Sequence, residues 1–170
     1  WATGIKLVNP KLKVVIFSGD GDAAAIGGNH LIHAARRNLD VTMIVVNNLT
    51  FGMTGGQVAP TTHQNLCSTT TPYGNPEPAF DLVKLVKSAG ATFVSRWSTA
   101  MPRQSINTIK NALQHKGFSF VELIAQCPTG FGRKALKSGD PIRGIHWIKE
   151  NSDEKFFLFL HFDYFNSFLK

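Results

Sequence analysis

A doubly wound α/β domain, with a mostly parallel sheet and helices on both of its faces, is the fold class the sequence predicts. Three observations carry it: short apolar, β-branched runs of strand length; amphipathic segments of helical period alternating with them; and glycines, prolines and cap residues at the joints. Residues 13–18, KVVIFS, are near-continuously apolar and suit a strand buried on both faces of a parallel sheet. A helix follows at about residues 23–37, opening on three alanines and closing on Arg36, Arg37 and Asn38, cations and a C-cap residue where the helix dipole favours them. Residues 41–46, VTMIVV, form the next strand and complete a βαβ unit.

Residues 48–78 are rich in Gly, Thr, Pro and Asn and show little periodicity, which predicts a long loop, a length that in compact domains usually carries function. Alternation resumes with a helix at residues 78–89, where Phe80, Leu82, Val83, Leu85 and Val86 make an apolar stripe ended by Gly90. A strand at 91–95, a helix at 101–115 with Pro102 in its first turn, and a strand at 118–124 complete the pattern. The expected organisation is one binding domain at residues 1–152 and an atypical tail at 153–170. Six of the 13 Phe of the chain fall in that tail, without clear period or turn signals. An edge strand, a helix docking on another subunit, a translated frameshift and a truncated gene end all remain open for it, and no function is assigned to it.

Composition narrows the partners. With 170 residues, 43% hydrophobic and 17% charged, the chain reads as a soluble globular domain. Its apolar runs stop well short of the roughly 20 residues a membrane span needs. The net charge of +7 is spread over scattered Lys and Arg rather than a basic run, which speaks against nucleic acid and leaves an acidic partner or anionic ligand. Cys67 and Cys127 stand far apart with no CxxC companion, and no signal peptide is present, so a reducing cytoplasm is expected. A start at Trp1 rather than Met suggests a fragment lacking an upstream part.

Chemistry concentrates at two strand ends. Gly19, Asp20, Gly21 and Asp22 form a glycine turn with an acid after the first strand, and Asn47-Asn48 close the second. Asp20 offers a hard oxygen to Mg²⁺, the Asn48 side chain a neutral oxygen, and Thr50 its carbonyl, while the glycines expose backbone to a diphosphate. A dinucleotide site is the strongest rival, since Gly19, Gly21 and Ala24 satisfy GxGxxA. That fingerprint wants an acid about 20 residues on for the ribose hydroxyl, and the place holds amides. An EF-hand is excluded because Asp20 and Asp22 are followed by AAAIGG, without later oxygen ligands.

Four blocks, ATGIK at 2–6, GDGDAAAIGGNHLIHAARRN at 19–38, NNLTFGMTGGQVAPTT at 47–62 and QCPTGFGR at 126–133, agree in order and spacing with one family. The chain resembles the thiamine-diphosphate-binding β subunit of the 2-oxoacid:ferredoxin oxidoreductases, nearest the 2-oxoglutarate branch. The resemblance implies a pyrophosphate-type binding domain with Mg²⁺ on Asp20, Asn48 and the Thr50 carbonyl, backbone of Gly21 and Asp22 at the diphosphate, and Met53 and Thr54 nearest the reactive carbon. Cys127 matches the fourth thiolate of a [4Fe-4S] cluster whose other ligands lie upstream in the family. The family's activating Glu comes from an α subunit with a pyrimidine-binding domain, so no catalytic residue is assigned to this chain. The implied activity is oxidative decarboxylation of a 2-oxoacid to an acyl-CoA with electrons passed to ferredoxin. A non-oxidative thiamine-diphosphate decarboxylase or synthase, and a non-catalytic nucleotide-binding domain, are the alternatives.

The remaining candidates carry a plain structural reading beside the functional one. Cys67 reads as a free cysteine in a polar loop. His30 could look toward a cofactor or be a structural imidazole; His33 lies on the same helix; His63 sits near the mouth of the site and could meet a substrate carboxylate; His115 suits a helix C-terminus. Arg96 with Trp97, and Arg133 with Lys134, could meet anionic substrate or acidic ferredoxin, or be solvated surface.

Overall fold

The computed structural model describes residues 1–151 and 158–161. Strands β1 (Val15–Gly19), β2 (Thr42–Asn47), β3 (Phe93–Ser98), β4 (Ser119–Ile124) and β5 (Leu158–His161) form one sheet in the order β1-β2-β4-β3-β5. The first four run parallel, and β5 pairs antiparallel with the edge of β3 from Arg96–Leu158 to Phe93–His161. Register sets Gly19 opposite Val46, and Asn47 and Ser98 opposite Ile124. The glycine turn, the amide pair and the QCPTG block therefore leave the sheet along one edge, the carboxyl end where ligands of such sheets bind.

Helices α1 (Ala2–Val8), α2 (Asp20–Ala24), α3 (Gly28–Arg36), α4 (Leu82–Ser88), α5 (Pro102–Gln114), α6 (Arg133–Ala135) and α7 (Pro141–Glu150) accompany the strands, with a π-helical turn at Pro128–Gly132. Alternate residues of the strands feed two cores. Met43, Val94 and Phe120 pack under α2, α3 and α4 with Leu31, Leu82 and Val86, while Ile44, Phe93 and Val121 face Ala112 of α5. The doubly wound expectation holds, and each core follows from the period-2 pleat of continuous apolar strands.

Several boundaries differ, each for a local reason. The first strand is not buried on both faces: it is the sheet's edge, α5 lies over β3 and β4, and Phe17 is left 72% exposed with Val15 at 38%. The helix expected at 23–37 starts earlier and is broken. Asp20 already opens α2, the Gly27 amide reaches back to the Asp22 carbonyl (2.8 Å), and α3 restarts at Gly28. A side chain at Gly27 would meet that carbonyl at 2.4 Å, so the break needs glycine there. Asn38 follows α3 with φ 46°, the left-handed residue that ends it.

The helix expected at 78–89 begins only at Leu82, because Asp81 caps it by accepting from the Lys84 N–H (3.3 Å). Phe80 consequently leaves the apolar stripe, is 54% exposed, and donates its N–H to the Pro60 carbonyl. α1 and α7 were not anticipated from periodicity, although Asp140-Pro141 is a legible cap and first-turn pair for α7. α1 is tied down by Lys6, whose ammonium reaches the carbonyls of Pro10 and Leu12 and the Asp40 carboxylate (2.7 Å). Of the tail, 158–161 take the edge-strand alternative; residues 152–157 and 162–170 lie outside the described residues.

The long loop is irregular but packed. Beyond one bridge between Phe51 and Gln57, residues 48–81 hold themselves by turn-type backbone hydrogen bonds, such as Asn65 N–H to the Asn75 carbonyl (2.8 Å), and by side chains, with Thr61, Thr62, Ser68 and Asn75 buried. Asn75 alone ties this loop to the Thr62 and Glu77 carbonyls. Such a loop can hold a precise surface because its backbone groups are satisfied internally.

Candidate functional site

Asp20 is the centre. Its side chain is 1% exposed, one carboxylate oxygen accepts from the Asn48 N–H (3.3 Å), and the other accepts from the Thr61 hydroxyl. Burial raises its carboxyl above the usual range and the nearby Glu122 charge adds to that, outweighing Thr61 and Asn48, which pull it down. Among the described residues the ion pairs fall on Asp40, Asp81 and Glu122, and none on Asp20. An acid buried among neutral donors is relieved by a hard cation, so the donor set fits Mg²⁺.

The two amides of the pair do different work. Asn47 is 4% exposed; it donates to Glu122 Oε1 (2.7 Å) and accepts from the Leu49 N–H (3.0 Å). Leu49 is thereby held at φ 62°, a conformation a branched residue takes only when its surroundings impose it. Asn48 then lies beside Asp20. Its side-chain oxygen accepts from the Thr50 N–H at 3.3 Å, leaving a second lone pair for a ligand. Thr50 is anchored by its own hydroxyl to the Gln57 carbonyl (2.7 Å), which holds it at the same turn.

Gly21 lies under the Phe51 ring, where an added methyl would stand 2.4 Å from a ring carbon. Phe51 is in turn bonded through its backbone to Gln57 and Gly56. Gly21→Ala is therefore expected to push the ring and the loop together, at a cost of roughly 1–3 kcal/mol, the usual range for overpacking. Thermal unfolding of the free protein measures it; a variant that melts with wild type would mean the ring swings away freely.

Gly52 joins the two halves of the site. A methyl there would come within 3.1 Å of Asn48 Nδ2 and 3.4 Å of Cys127 Sγ. Cys127 caps the π-helical turn, its sulfur accepting from the Gly130 N–H at 3.4 Å. The QCPTG turn touches the loop a second time, since a methyl on Gly56 would stand 3.2 Å from Gly130 Cα. Asp20, Asn48, Thr50, Gly21 and Cys127 are thus gathered. Asp22 is exposed, and Met53, fully exposed, and Thr54 stand on the loop tip, where Thr54 bonds Gln57 (2.7 Å) and Gly55 and Gly56 take positive φ. Among the described residues no three His, Cys, Asp or Glu side chains converge, so a cation here depends on the mixed set of carboxylate, amide and carbonyl.

The other candidates separate clearly. His30 and His33 are exposed on α3, and His33 accepts from Arg36. His63 lines a 210 Å³ cavity with Thr61, Asp81, Arg96 and Trp147; burial, and then the Arg96 charge, push its pKa below the ordinary value. Arg96 is not solvated surface, although it lines that cavity. It is 9% exposed and bonds Glu122 (2.6 Å) and Asp81 (2.7 Å). His115 is the C-cap of α5 and bonds Thr92 (2.7 Å). Cys67 and Trp97 are half-buried, and Arg133 and Lys134 are exposed. Sequence reasoning missed Thr61 and Glu122. A glutamate inside the apolar run SFVELI was the available signal, because a charge there demands a partner.

The model of the family described as thiamine pyrophosphate enzyme, C-terminal TPP binding domain, matches residues 1–123. The 2-oxoglutarate synthase subunit KorB of Methanothermobacter marburgensis is 55% identical over 152 residues, 89% of this chain and 53% of that protein. The chain thus spans about half the length of the curated relatives it matches. Among solved structures, the 2-oxoglutarate:ferredoxin oxidoreductase from Magnetococcus marinus, with 2-oxoglutarate, coenzyme A and succinyl-CoA bound, aligns with a TM-score of 0.74 and 39% identity, over 75% of this chain and 44% of that one. A thiamine diphosphate-dependent 4-hydroxybenzoylformate decarboxylase from Rhodococcus jostii RHA1, at 22% identity and a TM-score of 0.53, covers 74% of this chain and 22% of its own; it shares the fold. No helix among the described residues is long and apolar enough to cross a membrane.

Proposed function

Because this chain belongs to the thiamine pyrophosphate enzymes, through their C-terminal TPP binding domain, and resembles 2-oxoacid:ferredoxin oxidoreductase β subunits, we propose that it supplies the cofactor half of an active site that oxidatively decarboxylates a 2-oxoacid. The substrate is 2-oxoglutarate, the product an acyl-CoA, and the electrons pass to ferredoxin in the cytoplasm; the ligands named for the Magnetococcus structure support the first two. Residues 1–152 form the binding domain. Asp20, Asn48 and the Thr50 carbonyl hold Mg²⁺, with backbone of Gly19, Gly21 and Asp22 at the diphosphate and Met53 and Thr54 facing the thiazolium. Bound thiamine diphosphate supplies the carbanion chemistry by which a 2-oxoacid loses CO₂. The residues of this chain bind and orient it, and the activating Glu comes from an α subunit that carries the pyrimidine-binding domain.

One observation supports the oxidative reading over a non-oxidative decarboxylase: Cys127 Sγ and Asn48 Nδ2 both border Gly52, 3.4 and 3.1 Å from where a methyl on it would stand. In the full-length protein Cys127 would supply the fourth ligand of a [4Fe-4S] cluster, a group that accepts electrons and that a non-oxidative decarboxylase does not need. Cys127→Ser in the full-length β subunit assembled with its α subunit is the test. Iron content and the cluster's electron paramagnetic resonance signal should fall or change type, while thiamine diphosphate still binds. An unaltered cluster spectrum would remove Cys127 from the ligand set, and a wild-type complex without iron or a cluster signal would return the choice to the non-oxidative reading.

A further inference from the structure

We propose that Glu122 is a positioning residue for the metal-binding turn, acting through Asn47 and itself held in place by Arg96. The proposal rests on the assignment of Mg²⁺ to Asp20, Asn48 and Thr50. Glu122 lies inside β4 at 1% exposure, and its two oxygens are divided: Oε1 accepts from Asn47 Nδ2 (2.7 Å) and Oε2 from Arg96 Nε (2.6 Å). Arg96 is fixed at its far end by Asp81, the cap of α4 (2.7 Å). One chain of charge-assisted bonds thus runs from the start of α4 through β3 and β4 to the end of β2.

Its terminus is the turn itself. Asn47, gripped through its amide nitrogen, presents its oxygen to the Leu49 N–H and holds Leu49 at φ 62°. Along that backbone path the Asn48 N–H donates to Asp20 (3.3 Å) and the Thr50 N–H to the Asn48 side-chain oxygen (3.3 Å). A buried ion pair in a sheet is a poor device for stability, since apolar residues of similar volume often serve as well or better. Here the pair ends on a strained turn two bonds from the metal ligands, and precise placement of those ligands is what it contributes.

The test uses the assembled complex of α subunit and full-length β subunit, titrated with Mg²⁺ at saturating thiamine diphosphate by calorimetry. Arg96→Met combined with Glu122→Leu should melt near wild type yet bind Mg²⁺ roughly 10- to 100-fold more weakly, the range for loss of a group that orients a metal ligand. Asn47→Ala cuts the same chain without removing the ion pair. It should show a similar loss, and adding it to the double variant should cost little more. The KM for Mg²⁺ should rise while kcat at saturating Mg²⁺ changes far less. Wild-type Mg²⁺ affinity in Asn47→Ala, or in a folded Arg96→Met/Glu122→Leu protein, overturns the proposal. Asp20→Ala separates it from its premise: if that variant binds Mg²⁺ like wild type, the metal site itself is misplaced.

Discussion

Asp20→Ala is expected to abolish binding of Mg²⁺-thiamine diphosphate while leaving the fold intact. Loss of an orienting neighbour typically costs 10- to 100-fold in metal affinity. Loss of the only charged ligand in the set should cost more than about a hundredfold. The same substitution removes a buried carboxylate supported by neutral donors, among them the Thr61 hydroxyl and the Asn48 N–H, and by no cation among the described residues. In the absence of ligand the variant should therefore melt within about 1 kcal/mol of wild type, since an uncompensated charge is lost along with two hydrogen bonds. The contrast appears on addition of ligand. At a hundredfold excess over Kd, wild type gains about 2.7 kcal/mol by mass action and the variant gains none. Thermal shift with and without Mg²⁺ and cofactor reads both halves of the expectation. Equal ligand-induced shifts in the two proteins would place the cofactor elsewhere.

Arg96→Ala should be the most destabilising single substitution outside the apolar cores. It strands Glu122, 1% exposed, without its cation, and breaking one side of a buried pair costs about 3–5 kcal/mol. For a domain of this size that corresponds to a fall in Tm of roughly 10 °C. The acid dependence carries a second signature. Burial works to raise the Asp81 carboxyl, but the Arg96 charge and hydrogen bond, aided by Lys84, hold it below 3.8. A carboxyl depressed in the folded state adds stability above its unfolded value and loses it as pH falls through the lower folded one. Without Arg96 that contribution shrinks, so the stability gap between wild type and variant should narrow as pH drops below about 4. A gap of the same size at pH 3 and pH 7 would show that Asp81 and Arg96 do not share that charge.

Much of this was legible in the chain. Continuous β-branched runs such as VTMIVV have no stable home except a covered parallel strand, so the sheet followed from composition and spacing. Asp20 between glycines at one strand end and amides at the next marked the site. The errors had local and long-range causes. Phe80 matched the helical stripe by spacing, yet the Asp81 side chain captured the Lys84 N–H and started the helix beyond it, a competition between capping and periodicity. Phe17 looked like core because strand order, which leaves β1 at an edge, is written nowhere in its own neighbourhood. Arg96 looked like surface for the same reason, since its two acids stand 15 residues upstream and 26 downstream.

By itself the sequence determined the parallel α/β plan, the glycine-framed acid, the amide pair and the family to which they belong, because each depends on residue types and spacings within one strand-turn-helix segment. The tertiary structure alone decided which amide lies beside Asp20 and which one holds the turn, that Thr61 and Glu122 close around Asp20 and Asn47, and that Cys127 and Asn48 both border Gly52. Those relations join strands and loops dozens of residues apart. Their energies come from burial and charge pairing, which exist only once the sheet has brought its strand ends together.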